Sequence, residues 1–312
     1  MRTGCCVTMY SDRSIPPLYG HFAGKWNGKR YQVLRQLGQG ANGAVYLVSE
    51  GGKQTAVKVG ADPLDLFVEV NMLRCVQKVR EASIGPLLCD VDDLVIEGRT
   101  YPFYSMEYLD GERLDHYVER KGTEWVPVFM VQLLGRLHLL HQQGWAFGDI
   151  KPENLIITRE EKQLRLIDFG GVTRFGNAIR QFTEEYDRGA WKAGDRRAEA
   201  SYDLFAVAVM MIKLMAGKDH WQKYKPDSRN LRDLYDIILE NENLAPFRHP
   251  LVKALRGACH DASGMRSELL AVIGGGGKAA VKSGDGVLDK VLGGLFVGSL
   301  LLLAGTLYYV WV

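Results

Sequence analysis

The segment Gly148-Asp149-Ile150-Lys151-Pro152-Glu153-Asn154 lies near the middle of the chain and is its most informative stretch. A carboxylate, an ammonium group and an amide follow one another here at short spacing. Asp149 can orient or deprotonate a hydroxyl, Lys151 can neutralise charge on a phosphoryl group, and Asn154 can supply an oxygen ligand to a metal ion. Further along, Asp168-Phe169-Gly170 adds a carboxylate suited to Mg²⁺, which prefers one or two carboxylates together with phosphate oxygens.

A glycine-rich segment, Leu37-Gly38-Gln39-Gly40-Ala41-Asn42-Gly43, precedes these residues. Its three glycines allow a tight turn whose backbone N–H groups can approach phosphate oxygens closely. The sequence after the turn predicts a strand, whereas a dinucleotide-binding turn leads into a helix. Lys58 lies on a second predicted strand, from which its ammonium group can reach phosphates. Glu69, on the next predicted helix, either pairs with Lys58 or faces solvent, and the spacing leaves both open.

The pattern of apolar residues divides the chain into a β-rich part and an α-rich part. Short apolar runs separated by glycines predict strands over 31–58, and another strand is predicted over 101–109. Helical spacing predicts helices over 63–79, 128–141 and 204–215. We therefore expect an extended lead-in at 1–30, one domain at 31–273 with a β-rich lobe (31–109) and an α-rich lobe (110–273), a Gly- and Lys-rich linker at 274–290 and a hydrophobic helix at 291–312.

The C-terminal residues 291–312 contain no charged side chain. As a helix this run spans roughly 33 Å, against about 30 Å for the hydrocarbon core of a bilayer. We expect a single transmembrane helix, because a core helix of this length rarely lacks a polar face. Three lysines precede it and favour a cytoplasmic side for the preceding domain at the cell membrane: Lys278, Lys282 and Lys290. The Gly294/Gly298 pair would let two such helices pack closely as a homodimer, although glycine is common in membrane helices.

The composition excludes several classes of protein. With 46% hydrophobic and 24% charged residues, the chain as a whole is neither disordered nor collagen-like. A formal net charge of +2 gives no general argument for a nucleic-acid partner. The five cysteines are scattered without the spacing of metal ligands, which argues against a structural zinc site. The first residues lack the apolar run of a secretory signal.

Together and in this order, the motifs resemble those of the Hanks-type (eukaryotic-like) protein kinases, from Tyr31 to Ile273. The loop Lys151-Pro152-Glu153-Asn154 is similar to that of the serine/threonine-directed members. The resemblance implies an α+β fold of two lobes, with ATP and Mg²⁺ (or Mn²⁺) between them. It also implies transfer of the ATP γ-phosphate to hydroxyl groups of protein substrates and of the chain itself.

The resemblance assigns expected roles to individual residues. The implied catalytic residues are Asp149, Lys151, Lys58 and Glu69, and the implied metal ligands are Asn154 and Asp168. The implied ATP-binding residues are Leu37, Gly38, Gly40, Gly43, Val45, Ala56, Lys58, Met106, Glu107, Leu109 and Ile156. Asp203 matches the buried aspartate that anchors the catalytic loop in this family.

Two family motifs are altered. In the first, Phe147 stands where the family has a histidine and can fill its packing role, and Gly148 replaces the arginine that normally binds a phosphorylated activation loop. The second, the Ala-Pro-Glu motif that closes the activation segment, is missing, and Arg188-Gly189-Ala190 takes its place. The arginine that usually pairs with that glutamate, matched here by Arg266, therefore needs another partner. The candidates for autophosphorylation, chosen because they lie in or near this segment, are Thr173, Thr183 and Ser201.

Three alternatives stay beside an active protein kinase. A catalytically dead relative usually lacks the lysine, the base or the metal aspartate, and this chain retains all of them. A small-molecule kinase of the aminoglycoside or choline type shares the Gly148-Asp149 pair but not the full set of motifs. Regulation by DNA or an anionic membrane surface is the third, suggested by basic residues in and beyond the segment: Arg174, Arg180, Arg188, Lys192, Arg196, Arg197, Lys213, Lys218, Lys223 and Lys225. The short layout without an extracellular sensor resembles the DNA-responsive, membrane-anchored kinases of spore-forming bacteria.

Overall fold

The computed structural model describes residues 15–40, 43–77, 84–223 and 229–279, with side chains as far as Gly275. In this part of the chain a β-rich N-terminal lobe precedes a helical C-terminal lobe, as the apolar pattern predicts. The strands of the N-terminal lobe are β1 (His21–Ala23), β2 (Arg30–Gly40), β3 (Gly43–Glu50), β4 (Lys53–Gly60), β5 (Leu88–Ile96) and β6 (Arg99–Glu107).

These six strands of the described chain form one antiparallel sheet in the order β1-β2-β3-β4-β6-β5. Apolar side chains of β2, β3, β4 and β6 form a core on one face of the sheet. At its centre Tyr31 and Phe103 pack edge to face, with ring centroids 5.6 Å apart. The register places Lys58 opposite Val45 on one side and Tyr104 on the other, so the lysine lies in the middle of the sheet.

The lead-in predicted at 1–30 is in part a component of this lobe. Strand β1 pairs with β2 at the edge of the sheet, and Ile15 and Leu18 are buried in the same core. The backbone N–H groups of Trp26 and Asn27 bind the carboxylate of Asp92, each over 3.0 Å. Part of the predicted lead-in therefore packs against the lobe predicted to begin at residue 31, and isolated apolar residues in a stretch without clear periodicity give no signal of this packing.

Helix α1 (Pro63–Gln77) crosses the sheet and presents Glu69 to it. Its buried positions fall at helical spacing: Leu66, Glu69, Val70, Met72, Leu73 and Val76. The apolar Phe67 lies in the same helix but is 62% exposed, whereas the charged Glu69 is buried. Helical spacing alone cannot detect a buried carboxylate, because burial of a charge depends on a partner outside the helix.

The C-terminal lobe is built around α4, whose side chains are buried almost all round. Its helices are α2 (Leu114–Lys121), α3 (Trp125–Gln142), α4 (Ala200–Ala216), α5 (Lys218–Lys223), α6 (Leu231–Glu240), α7 (Arg248–Leu255) and α8 (Ala262–Ala279). Its short strands are β7 (Gly111–Arg113), β8 (Trp145–Ala146), β9 (Leu155–Thr158), β10 (Leu164–Leu166) and β11 (Thr173–Arg174). A helix that is apolar on every face belongs inside a lobe. The short strands carry the loops that hold the predicted catalytic residues.

The C-terminal region departs from the predicted linker where it can be compared. Helix α8 continues to Ala279, so the first residues of the stretch predicted as linker at 274–290 are helical although they include several glycines. Propagation from a packed helix is easier than nucleation, which accounts for this extension. A second compact unit begins at Leu270. The rest of the linker and the predicted membrane helix at 291–312 lie outside the described residues. Among the helices that are described, none is long and apolar enough to cross a membrane.

Candidate active site

Lys58 is held between two carboxylates. Its Nζ lies 2.6 Å from Oε1 of Glu69 and 3.0 Å from Oδ1 of Asp168. Strand β4 brings the lysine, α1 brings the glutamate, and the turn after β10 brings the aspartate. Lys58 and Glu69 are almost fully buried, whereas the Asp168 side chain is 44% exposed. The pairing of Lys58 with Glu69, left open by the sequence, is present in the structure.

Burial and charge act in opposite directions on these three groups. Burial disfavours the Lys58 cation, but the two carboxylates outweigh it and raise the pKa of Lys58 above its ordinary value. Burial raises the pKa of Glu69 to about 7, although Lys58 acts against it. Burial also opposes ionisation of Asp168, but the Lys58 charge dominates and lowers the pKa of Asp168 to about 2. The exposed aspartate is therefore ionised at neutral pH, as a metal ligand must be.

The backbone at Asp168 adopts a left-handed conformation with φ of 60°. Non-glycine residues at positive φ are uncommon and are enriched at functional sites. The following residue, Phe169, is buried and meets Phe147 edge to face with ring centroids 5.7 Å apart. Phe147 is itself buried and packs against the residue that follows Asp168. Gly85 is required beside this ring, since a Cβ there would lie 2.5 Å from Phe169 carbons.

Asp149 lies in a second group of polar side chains. Its Oδ2 accepts a hydrogen bond from Nζ of Lys151 over 2.5 Å, and its Oδ1 accepts one from Oγ1 of Thr183 over 2.9 Å. Lys151 also donates to Oγ1 of Thr183 over 3.1 Å. Asn154 donates through its amide nitrogen to the backbone oxygen of Asp149 over 2.8 Å. Sequence reasoning names Thr183 only as a phosphorylation candidate, because contact with Asp149 depends on the fold of the segment.

The loop that carries Asp149 is anchored by the fully buried Asp203 on α4. Its carboxylate accepts hydrogen bonds from the backbone N–H groups of Phe147 (2.7 Å) and Gly148 (2.9 Å), and contacts Nε2 of His141 at 2.8 Å. This is the anchoring role expected for Asp203. Gly148 has φ of +85°, and a Cβ there would lie 2.6 Å from the backbone oxygen of Gly171. The local backbone therefore requires glycine at this position, independently of the fact that the family has an arginine here.

The three glycines of the glycine-rich turn have different surroundings. A Cβ on Gly38 or Gly40 would meet no atom of the described residues within 4 Å, so packing against these residues does not explain the two glycines. Gly43 has φ of +149°, and a Cβ there would lie 2.2 Å from the backbone oxygen of Val59. Open space above Gly38 and Gly40 fits the close approach of phosphate groups to the backbone. Residues 41–42, at the tip, lie outside the described chain.

The predicted adenine-binding residues lie on neighbouring strands and on the segment 106–109 between the lobes, here called the hinge. Met106 is paired with Ala56 across β6 and β4, and Val45 lies on the adjoining β3. Leu37, Leu109 and Ile156 are partly buried apolar residues on β2, in the hinge and on β9. The Glu107 carboxylate accepts hydrogen bonds from the Leu87 backbone N–H (3.1 Å) and from the buried Arg165 (3.0 Å).

Arg165 is a site residue that sequence reasoning misses. It lies on β10 and also donates to the backbone oxygen of Gly85 over 2.6 Å, so it joins the C-terminal lobe to the hinge. No local signal distinguishes such an arginine from a solvent-exposed one on a short strand.

The donor set fits a divalent cation. Asn154 and Asp168 offer an amide oxygen and an ionised carboxylate, which are oxygen ligands of the kind that Mg²⁺ accepts alongside phosphate oxygens. The amide nitrogen of Asn154 is engaged by the backbone oxygen of Asp149, so the amide oxygen is the atom left for a ligand.

Arg266, whose usual glutamate partner is missing from this chain, forms no buried ion pair with a described residue. Arg266 is exposed, and its guanidinium lies beside Gly135. Two other arginines, Arg188 and Arg196, pair instead with acidic residues in and just after the activation segment.

Known proteins resemble this chain in sequence and in fold. The sequence profile described as the protein kinase domain matches residues 31–266. The chain is 44% identical over 249 residues to the serine/threonine-protein kinase YabT of Bacillus subtilis, which covers 79% of this chain and 72% of that protein. It is 28% identical over 204 residues to mouse serine/threonine-protein kinase SBK1, covering 62% of this chain and 49% of that protein.

Among solved structures, vaccinia related kinase 3 superposes with a TM-score of 0.60 over 83% of this chain and 91% of that chain. At 16% identity this likeness shows the fold alone. The family profile and the identity to YabT show more, and this chain belongs to the protein kinase family as a serine/threonine protein kinase.

Proposed function

We propose that this serine/threonine kinase performs phosphoryl transfer with Asp149 as the residue that orients and deprotonates the attacking hydroxyl group. Lys151, 2.5 Å from Asp149, neutralises charge on the transferred phosphoryl group. Lys58 binds the α- and β-phosphates of ATP while Glu69 holds its ammonium group in place. The backbone of Gly38, Gly40 and Gly43 covers the phosphates.

One observation carries this proposal. Lys58 contacts both Glu69 and Asp168, and Asp149 contacts both Lys151 and Asn154. Buried charges cost free energy unless they are paired, so such an arrangement is held by the protein as a whole. A catalytically dead relative has no need for it.

Asn154 and Asp168 hold the divalent cation, which we propose to be Mg²⁺. When bound there, the cation would supply positive charge to offset the charge that builds up during transfer. The chain's own part is to fix these two oxygen ligands and to keep the Asp168 carboxylate ionised through Lys58, which lowers its pKa. Adenine lies against Val45, Ala56, Met106 and Ile156, with the hinge backbone at Glu107 and Leu109 facing it and Leu37 at the edge.

The test uses the full-length chain, purified with a mild detergent, and labelled ATP with Mg²⁺. We expect transfer to serine or threonine of the chain and of a generic basic protein. Asp149→Asn should reduce the rate about 10²–10⁴-fold, the range for a general base, while ATP binding persists. Asp168→Asn should lower activity and raise the Mg²⁺ concentration that is needed for half-maximal transfer.

Asp110→Asn is the matched control, because Asp110 is an exposed aspartate that pairs only with exposed Arg159 among the described residues. It should keep wild-type activity. Full activity of Asp149→Asn would refute the assigned base. Transfer to an aminoglycoside or choline, with none to proteins, would favour the small-molecule alternative.

We also propose that residues 291–312 anchor the kinase in the cell membrane with its catalytic domain in the cytoplasm. The uncharged run and the lysines that precede it support this arrangement. Pairing of two chains through Gly294 and Gly298 would raise their effective concentration and favour autophosphorylation in trans.

A further proposal concerns regulation by DNA or another polyanion. Fewer basic residues are available to bind a polyanion than the sequence suggests, because several are paired with carboxylates: Arg188, Arg196, Lys213 and Lys218. Arg174, Arg180, Lys192 and Arg197 are exposed and form no salt bridge with any described residue. Duplex DNA at low salt should stimulate the wild type, and Arg180→Gln with Lys192→Gln should abolish the stimulation. Unchanged activity on adding DNA would refute it.

A further inference from the structure

The activation segment contains a buried carboxylate that none of the expected motifs supplies. The Asp187 side chain is 0% exposed. It accepts hydrogen bonds from Nε of Arg196 (2.8 Å), the Tyr202 hydroxyl (2.8 Å) and the backbone N–H groups of Gly189 (3.2 Å) and Ala190 (2.9 Å). Nη2 of Arg196 completes a two-pronged contact at 2.7 Å. A carboxylate with this many donors is held in one position.

The next residue, Arg188, forms a second ion-paired group, in which the central buried side chain is a cation and its partners are carboxylates. Its buried guanidinium contacts Glu199 at 2.7 Å and Asp195 at 3.0 Å, and donates to the Ser201 hydroxyl over 2.8 Å. We call Asp187, Arg188, Asp195, Arg196 and Glu199 the segment clasp. It joins residues 187–188 to residues 195–199, just before α4.

Backbone hydrogen bonds connect the segment clasp to residues 177–179, earlier in the segment. Ile179 donates its N–H to the backbone oxygen of Arg196, and Ala198 donates to that of Asn177. The Arg196 guanidinium also lies 4.2 Å from the centre of the Phe182 ring. Thr183, which follows Phe182, is the residue that contacts both Asp149 and Lys151. Arg196 thus connects Asp187 to the residue before Thr183.

The segment clasp lies in the part of the chain where the family's Ala-Pro-Glu motif is missing, and no phosphate is needed to form it. Each charged member is paired within one short stretch, so the segment is held by its own side chains. Gly148, which offers no side chain to a phosphorylated residue, is consistent with a segment ordered in this other way.

We propose that Asp187 and Arg196 are positioning residues for transfer to protein substrates: their ion pair holds Thr183 and the neighbouring substrate-docking segment against Asp149 and Lys151. The proposal rests on the proposed function, since it concerns the same reaction. Within the described part of the chain, neither residue has a hydrogen bond or ion pair to the proposed nucleotide-binding residues, so the ion pair acts on the protein substrate and not on ATP.

The test compares Asp187→Asn, Arg196→Gln and the double variant in full-length protein, with Arg196→Lys as the conservative variant. KM for ATP, KM and kcat for a basic protein substrate, and the melting temperature are measured for each. We expect a fall of about tenfold or more in kcat/KM for the protein substrate, with KM for ATP within about twofold of wild type. Arg196→Lys should recover part of the loss, and the double variant should be no worse than the worse single variant.

Arg232→Gln is the matched control, because it is the same chemical change at an exposed arginine on α6 whose side chain forms no salt bridge with a described residue. It should keep wild-type kinetics with the protein substrate. If Asp187→Asn does not fold, the comparison of Arg196→Gln with Arg196→Lys decides the question.

Kinetics within about twofold of wild type for Asp187→Asn and Arg196→Gln would overturn the proposal, as would parallel losses for ATP and protein substrate. Either result leaves the proposed kinase reaction intact, provided that the wild-type chain transfers phosphate. Absence of transfer by the wild type would instead count against the proposed function.

Discussion

Among single residues, Glu69 is the one in which fold stability and catalysis make opposite demands. Burial raises the pKa of its carboxyl to about 7, while Lys58 needs the ionised form as its partner. Between about pH 8 and pH 6 a growing share of chains carries a neutral Glu69, and Lys58 then retains only Asp168 as a charged partner among the described residues. We expect kcat/KM for ATP to fall over this interval.

The contribution of Glu69 to the free energy of unfolding should have the opposite pH dependence and decrease as the pH rises. The folded chain binds the Glu69 proton more tightly than the unfolded chain, whose glutamate has its ordinary pKa of 4.5. The stabilising contribution is therefore complete below pH 4.5 and is lost as the pH rises through about 7. Melting temperatures of wild type and Glu69→Gln from about pH 5 to pH 8 check this: the variant should gain on the wild type as the pH rises. A constant difference across the range would contradict the raised pKa.

Gly148 offers a second prediction for a single residue. Alanine at this position must adopt φ near +85° and also place Cβ 2.6 Å from the Gly171 backbone oxygen. Gly144 is the matched control, because its φ is +79° but a Cβ there would meet no atom within 4 Å. Gly144→Ala should cost about 1–2 kcal/mol from backbone strain alone. Gly148→Ala should cost clearly more in denaturant unfolding and should lower activity, and equal costs would show that the clash is relieved.

For the secondary-structure elements, the connection between β10 and the hinge is the contact most open to test. Arg165 on β10 holds Glu107 at the end of β6 and the Gly85 backbone that leads into β5. Arg165→Met leaves both oxygens without this charged donor. We expect the unfolding free energy to fall by about 1.5–3 kcal/mol, the range for hydrogen bonds to charged groups. KM for ATP should rise as well, because Glu107 lies in the hinge.

Arg159→Met provides the comparison for this element. Arg159 pairs with Asp110 close to the same hinge, but both side chains are mostly exposed. Exposed ion pairs contribute about 0–1 kcal/mol, so this variant should unfold nearly as the wild type does. Equal destabilisation by the two substitutions, measured by urea unfolding, would mean that burial of Arg165 does not set its contribution.

On the scale of the whole molecule, the proposed membrane anchor can be tested without removing any residue. Leu300→Arg together with Leu303→Arg places two charges near the middle of 291–312, at a cost of about 2.5–3.5 kcal/mol each for insertion. We expect the kinase to move from the membrane fraction to the soluble fraction of the cell while it keeps its activity on a basic protein. Leu300→Ala with Leu303→Ala is the control and should stay in the membrane fraction. A doubly charged chain that remains there would contradict anchoring by this segment.

The amino-acid sequence settles much of the fold and of the site because both depend on local pattern. Apolar periodicity alone indicates a β-rich lobe before an α-rich one, and helices around 63–79, 128–141 and 204–215 are found close to the predicted bounds. The order of Lys58, Asp149 and Asp168 along the chain is enough to indicate phosphoryl transfer, because the reaction needs these charges in any member of the family. The uncharged run at 291–312 likewise follows from composition, and its membrane role stays a prediction.

Tertiary structure alone decides the contacts between residues far apart in sequence. Nothing local shows that Glu69 is buried against Lys58 rather than exposed, that Arg165 holds the hinge, or that the buried Asp187 pairs with Arg196. The same holds for Ile15 and Leu18, which become core residues only because the sheet folds over them. A charge is stable inside a protein only where the rest of the chain brings a partner to it. That condition belongs to the fold, and no short stretch of sequence contains it.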